Sequence, residues 1–273
     1  MKETFVLKEE QFLVIEEWQN KFSGVTAGFT TKNGGIGKDS YESLNTGFHV
    51  GDDADIVKGN RAIIAKALGF PLDKWVGAEQ THETKIIKAV NEDMGKGAAD
   101  YGSSFKGTDG IYTKQRDLLI TLCFADCVPL FFISPKHGYI GAAHAGWKGT
   151  VGEIARKMIN KWESEGISPD EIYAAIGPSI CKECYIVDDK VIKMVQNLLE
   201  EYDEKPYNTI SKGQYQLDLR RLNAMLIQKS GVPASQILTT QLCTSCDSDL
   251  FFSHRRDHGR TGRLMSFIGW KED

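Results

Sequence analysis

The sequence predicts an α+β fold, a single domain over residues 1–273 in which mixed β-sheets are flanked by helices. Two patterns carry the prediction. Short apolar segments bounded by turn residues crowd the middle of the chain, and segments with helical spacing gather in the second half; a regularly alternating βαβ fold would interleave the two throughout. Composition adds a third observation, because 41% hydrophobic and 26% charged residues over 273 positions describe a chain able to bury a sizeable core. No repeat or low-complexity linker divides it, and its 27 glycines are spread along the whole length.

In chain order, strands are expected near 25–30 and 85–90, with a helix over about 56–68 whose Ile56, Ile63 and Ala67 recur at helical spacing. Between the first strand and that helix, residues 33–53 read as a long loop rich in glycine and polar residues, a length that usually marks function or mobility in a compact domain. Residues 110–113, 118–124, 128–134 and 139–143 read as the core strands. Helical periodicity follows over 149–164 through Val151, Ile154, Ala155, Met158, Ile159 and Trp162, with Gly166 placed as its C-cap. A strand at 171–176, helices at 188–201 and 217–229, and strands near 237–241 and 264–269 complete the chain.

The net charge of −4 provides no basic field for nucleic acid or an anionic membrane, so an anionic ligand must be held locally. The most apolar stretch, 118–133, is interrupted by Asp126 and Pro129 and reads as two strands around a polar corner, not as a membrane span. The first ten residues are too polar for a signal peptide. A cytoplasmic location is expected, in which the six cysteines are thiols and metal binding or catalysis is the first alternative to burial. These features specify neither a monomer nor an oligomer.

Three polar residues fall at strand edges in otherwise apolar surroundings: His82 in Gln80-Thr81-His82, Cys127 in Ala125-Asp126-Cys127, and His144 in Ala143-His144-Ala145-Gly146-Trp147. A thiolate and two imidazoles make a three-ligand zinc site with an open fourth position; spacing alone leaves buried, hydrogen-bonded core residues as the plainer alternative. Cys181-x2-Cys184 and Cys243-x2-Cys246 have the spacing of metal knuckles, but the 58 residues between them argue against a zinc ribbon, whose pairs stand about 15–20 apart. There is no H-E-x-x-H helix, no H-x-E with P-C-x-x-C, no P-loop and no G-x-G-x-x-G after a strand. H-x-H pairs, with which a multicopper oxidase would collect imidazoles, are also missing.

Taken together, QTH, ADC-x-P and HAGWKG resemble the bacterial laccase-domain family, also described as purine nucleoside phosphorylases and peptidoglycan-editing factors. The resemblance continues through Ser43-Leu44-Asn45, His49-Val50-Gly51-Asp52-Asp53, Asn60-Arg61, Asp109-Gly110, Gly177-Pro178-Ser179-Ile180, Leu217-Asp218-Leu219 with Asn223, Cys243-Thr244, the segment from Phe251 to Asp257, and Thr261-Gly262-Arg263. It spans nearly the whole chain. The resemblance implies an α+β fold like that of cytotoxic necrotizing factor and laccase-domain proteins, with zinc held by His82, Cys127 and His144 as the catalytic trio. It also implies phosphorolysis of adenosine, inosine and methylthioadenosine to base plus ribose 1-phosphate, with adenosine deamination beside it. The partners are then a nucleoside and phosphate. Phosphate needs converging positive charge, for which the resemblance promotes the basic segment of Arg255, Arg256, Arg260 and Arg263, with Arg255, Arg256 and Arg263 as its phosphate-binding candidates, over a solvated basic loop, with Arg61 as a further phosphate ligand and Asn45 and His49 as pocket-wall residues. Alternatives kept beside this reading are a cysteine-centred hydrolase of peptidoglycan precursors with Cys127 as nucleophile, a copper polyphenol oxidase, and a non-catalytic zinc- or thiol-binding protein. Copper binding in vitro is expected in any case, because copper stands above zinc in intrinsic affinity.

Overall fold

In the computed structural model, which describes residues 2–272, the chain opens with a hairpin of β1 (Phe5–Glu9) and β2 (Phe12–Ile15), followed by α1 (Glu16–Lys21) and β3 (Val25–Thr30). After a long loop come α2 (Ala54–Leu68), β4 (Trp75–Val76), β5 (Ile86–Lys88), β6 (Gly110–Thr113), β7 (Leu119–Phe124), β8 (Val128–Ser134) and β9 (Tyr139–Ala145). The second half holds α3 (Trp147–Val151), α4 (Ile154–Ser164), β10 (Tyr173–Ile176), β11 (Ile186–Val187) and α5 (Asp189–Gln196). It ends with the hairpin β12 (Tyr207–Ser211) and β13 (Gln214–Leu217), then α6 (Leu219–Lys229), β14 (Ile237–Thr239) and β15 (Leu264–Trp270).

The strands form three sheets, in the orders β1-β2-β3-β15-β7-β4, β14-β10-β8-β9-β6-β5 and β11-β13-β12. Most neighbours are antiparallel, but β4–β7, β5–β6 and β10–β14 run parallel. Both large sheets are therefore mixed, and the α+β class expected from the sequence holds.

The two large sheets face each other. Phe29, Ile120, Leu122 and Phe124 of the first meet Phe131, Ile133, Ile140 and Ala142 of the second. Helix α2 covers the first sheet's other face through Ile64, Ala65 and Leu68, against Trp75, Leu119, Met265 and Phe267. Helices α4 and α6 cover the second sheet's other face through Met158, Ile159, Trp162, Leu222 and Leu226, against Leu130, Phe132 and Ala174. The result is four layers, helix–sheet–sheet–helices. Strand β8 is buried on both faces along its whole length, so its sequence VPLFFIS is a continuous apolar run with no polar alternation.

Several elements depart from the sequence expectation. The helix anticipated over 149–164 is two helices, broken at Gly152 and Glu153, where Glu153 takes a left-handed conformation (φ 58°). Helix α5 stops at Gln196, five residues short of the expected end, and the β1–β2 and β12–β13 hairpins were not anticipated. Among the described residues no helix is long and apolar enough to cross a membrane.

Candidate metal centre and its cleft

Cys127 lies in the short corner that carries the chain from β7 in the first sheet to β8 in the second, and His144 stands near the end of β9, beside β8. His82 comes from the loop before β5. The ligand atoms of all three lie within 4.8 Å of one another. Two of the local backbones are unusual: His82 and Asp126 both hold positive φ, 60° and 82°, a conformation uncommon for residues other than glycine, though Asp and His tolerate it better than most.

Asp109 imposes the first. Its fully buried carboxylate accepts the backbone N–H groups of Thr81, His82 and Glu83 at 3.1, 3.0 and 2.9 Å, so the loop must curl until three consecutive N–H groups point inward. The same carboxylate accepts Nδ1–H of buried His144 at 2.8 Å. This fixes the imidazole tautomer and leaves the Nε2 lone pair for the trio, as an outer partner of a metal-ligating histidine does. Asp126 serves a different purpose: it accepts the Thr244 hydroxyl and the Arg255 backbone N–H, each at 2.7 Å, and tethers the C-terminal loops to this corner. Gly146 is required by space, because a Cβ there would lie 2.8 Å from Cys127 Sγ and 3.3 Å from His82 Cδ2.

The electrostatics favour a thiolate. Burial pushes the Cys127 thiol up, but the imidazoles of His144 and His82 outweigh it and hold the thiol below its ordinary value. Burial pushes His144 down, and the Cys127 sulfur and Asp109 together reverse this. Burial likewise raises the Asp109 carboxyl, yet His144 and the three N–H groups hold it below the usual range. An anionic sulfur, two imidazoles and an outer carboxylate are the donor set of a catalytic metal site with an open position, so the residues present fit such an ion.

The trio opens onto a cleft of about 420 Å³. Its other walls include His49, Gln80, Trp147, Ile180, Tyr185, His254, Arg255 and Arg263. Of the residues proposed from the sequence, the structure thus brings His82, Cys127, His144, His49, Arg255 and Arg263 together. It does not bring Arg256, Arg61 or Asn45. The Arg256 guanidinium is taken by the carbonyls of Thr244, Ser245 and Phe251 and by Asp257. That of Arg61 is buried against the carbonyls of Thr46, Gly97 and Ala98 and the ring of Phe48. Asn45 works behind the wall, accepting the Arg263 backbone N–H and donating to Asp52. Gln80, Asp109, Trp147, Tyr185 and His254 were not singled out as site residues. For Asp109 a signal existed, an acid directly before an apolar strand that faces buried layers.

His49 opens onto the cleft, yet the surrounding protein and then Arg263 push its pKa down to about 4. It is therefore neutral at pH 7 and adds no charge for an anion. The unfolded value is about 6.5, so this residue contributes stability that is complete above pH about 6.5 and lost as pH falls through about 4. An NMR titration should find the His49 ring uncharged down to about pH 5, and a midpoint near or above 6.5 would contradict the environment described here.

A second cluster overturns the expectation drawn from spacing. Cys181, Cys184, Cys243 and Cys246 come together with their sulfurs within 4.8 Å of one another, and none is in a disulfide. Both clusters are compatible with metal binding.

A four-layer α+β fold with one cysteine and two histidines at a cleft beside the corner that joins its two large sheets defines the class of protein. The chain belongs to the family described as multi-copper polyphenol oxidoreductase laccase, whose model matches residues 26–271. It is 50% identical over 274 residues to a Bacillus subtilis protein named purine nucleoside phosphorylase YlmD, with 98% of each chain covered. A Geobacillus stearothermophilus protein of the same name is 47% identical over 253 residues, 92% of each chain. The crystal structure of YlmD from Geobacillus stearothermophilus matches with a TM-score of 0.96 at 45% identity, covering 99% of this chain and 100% of that one.

Proposed function

We propose that this chain, acting as one catalytic domain in the cytoplasm, is a zinc-dependent purine nucleoside phosphorylase that splits adenosine, inosine or methylthioadenosine, with adenosine deamination as a side reaction. The observation that carries the reading is the cleft itself, which sets a His–Cys–His centre on one wall and the cations of Arg255 and Arg263 on another. The names of the relatives support the same class of substrate. Trp147 and Tyr185 provide flat surfaces for a purine ring. Nucleic acid and membranes are not partners in this reading.

In phosphorolysis a phosphate oxygen bonds to C1′ of the ribose as the bond from C1′ to the base breaks, and the base leaves with the electron pair and takes up a proton. Arg255 and Arg263 hold the phosphate anion and offset charge as it shifts. Arg263 is anchored for this by Nη1, which donates to the carbonyls of Thr261 and Gly262. Arg255 stacks its guanidinium over the Tyr185 ring, 5.1 Å from the centroid. A zinc ion held by His82, Cys127 and His144 would supply a Lewis acid that polarises an oxygen of substrate, phosphate or water. Asp109 keeps His144 in the ligating tautomer, and Asn45 and Asp126 hold the arginine-bearing loops against the centre.

Purified protein incubated with adenosine should yield adenine and ribose 1-phosphate only when phosphate is present, and inosine without it. No product in either condition overturns the reading. Since no step transfers an electron, turnover should persist without oxygen, and copper-loaded protein should turn nucleosides over more slowly than the zinc form. Fast phenol oxidation by the copper form, with nucleosides left intact by the zinc form, would place the chain with the oxidases that its family's description names.

The two neighbouring arginines should behave oppositely. Arg255→Ala should slow phosphorolysis at low phosphate by roughly 10- to 150-fold, the equivalent of one charge-assisted contact of about 1.5–3 kcal/mol, and leave phosphate-independent deamination nearly unchanged. Arg256→Ala, which orphans three carbonyls, should instead lower thermal stability by about 1–3 kcal/mol and scale both activities together. Equal loss of both activities in Arg255→Ala would remove it from phosphate binding.

A further inference from the structure

Parallel strands set their C-terminal ends side by side, and β10 and β14 are parallel neighbours paired from Ala174–Ile237 to Ile176–Thr239. Each is followed within a few residues by a Cys-x2-Cys segment, 181–184 after β10 and 243–246 after β14. The sheet therefore delivers both pairs to one place, and the 58 intervening residues are simply the crossover between two parallel strands. The register continues past the strands, since Ser179 pairs with Cys243 in a parallel bridge and Thr244 N–H donates to the Ser179 carbonyl at 3.2 Å.

The sulfurs then converge. Cys184 and Cys246 approach to 3.4 Å and Cys181 and Cys246 to 3.8 Å, and all four lie within 4.8 Å. Four thiolates about 2.3 Å from a tetrahedral zinc stand about 3.8 Å apart, so the observed separations are those of a four-sulfur cage. Two backbone N–H groups, those of Cys181 and Cys246, point at Cys243 Sγ at 3.2 and 3.4 Å, which favours the anionic form that a metal needs. Each pair also wraps a tight turn: Cys184 N–H donates to the Cys181 carbonyl, and Asp247 N–H to the Cys243 carbonyl.

We propose that Cys181, Cys184, Cys243 and Cys246 form a second, closed metal site that takes a soft or borderline divalent ion, zinc above all, and that this ion is structural. Four protein ligands leave no open position for substrate. The site's neighbours define its task. Ile180 and Tyr185 flank the first pair and line the cleft, and Thr244, beside Cys243, donates to Asp126, which also receives the Ile180 and Arg255 chains through its carbonyl and carboxylate. An ion here clamps two loops into one wall of the cleft, and it does so whatever reaction the cleft performs.

The experiment counts zinc per chain in the full-length protein, purified under reducing conditions and dialysed free of loose metal, for three forms: the natural chain, Cys127→Ser and the double variant Cys184→Ser/Cys246→Ser. The double variant should lose one equivalent relative to the natural chain, and Cys127→Ser should keep that equivalent, whether or not the His–Cys–His centre is itself a zinc site. Equal zinc in the natural chain and the double variant overturns the proposal. Should the double variant fail to fold, the natural chain still decides. Alkylation mapped by mass spectrometry should spare Cys181, Cys184, Cys243 and Cys246 in the zinc-loaded form and label them after a strong chelator is added. Labelling of these four that is the same before and after chelation, or a disulfide among them in the reduced preparation, also overturns it.

Discussion

Cys127→Ser should abolish nucleoside phosphorolysis and strip the metal from the His–Cys–His centre, with a fall in metal affinity beyond the roughly 10- to 100-fold that loss of an outer hydrogen-bond partner costs. The size follows from the ligand's chemistry. Cys127 is the trio's only anionic donor, and its sulfur is held as a thiolate by the flanking imidazoles. Serine keeps the shape, fits the space left by Gly146 and presents a hydroxyl that stays neutral and binds zinc poorly. His82→Ala and His144→Ala should act alike, because two protein ligands cannot hold the ion. The measurement is zinc per chain beside the rate of ribose 1-phosphate release. A Cys127→Ser protein with undiminished metal and no activity would point to a nucleophilic thiol, the hydrolase alternative. Undiminished metal with full activity would remove the cysteine from the chemistry altogether.

How far this could be read before the fold was seen depended on whether a residue's partners were local. The trio was legible chiefly through the resemblance of QTH, ADC-x-P and HAGWKG to a known family: Cys127 and His144 do interrupt apolar segments, but His82 is exposed in a polar loop before β5, and the pattern alone left buried core residues as the plainer alternative. Arg256, by contrast, misled. Its acceptors are carbonyls of Thr244, Ser245 and Phe251, and a carbonyl leaves no trace in sequence, so the guanidinium looked available when it was already committed. Arg61 misled in the same way: it shares the buried face of α2 with Val57, Ile64 and Ala65, and its acceptors are carbonyls of Thr46, Gly97 and Ala98. The cysteine pairs were misjudged by distance along the chain, a measure that fails wherever a parallel strand pair needs a long crossover. Among the elements, the core strands were plain because burial on both faces makes them continuously apolar. The β12–β13 hairpin was not, because Thr209, Ile210 and Gln214 are exposed and its polar sequence resembles a loop. The break between α3 and α4 turns on one left-handed residue, Glu153, in a run whose periodicity is otherwise helical.

Asp109→Asn should be the most damaging substitution outside the trio. The carboxylate is fully buried and has five jobs at once, accepting three consecutive backbone N–H groups, the Thr81 hydroxyl and the His144 imidazole. An amide has one acceptor oxygen where the carboxylate has two. If that oxygen keeps the His144 and His82 bonds that Oδ1 now makes, the amide NH₂ replaces Oδ2 and faces the N–H groups of Thr81 and Glu83, donor against donor. These bonds are part-buried, so each orphaned donor costs at most about 1–3 kcal/mol. The loop that holds His82 at positive φ then loses the contacts that impose that conformation, and His144 loses the charge that fixes its tautomer. Metal affinity should fall by roughly 10- to 100-fold, read by competition with a chelator of known strength. The melting temperature of the metal-free protein should fall as well, which separates this residue from Arg255, whose loss leaves the melting temperature unchanged. Asp109→Asn with unchanged chelator competition would mean that His144 is oriented by its packing against Phe124 and His82, whose rings lie 5.2 and 4.7 Å away, and not by the carboxylate.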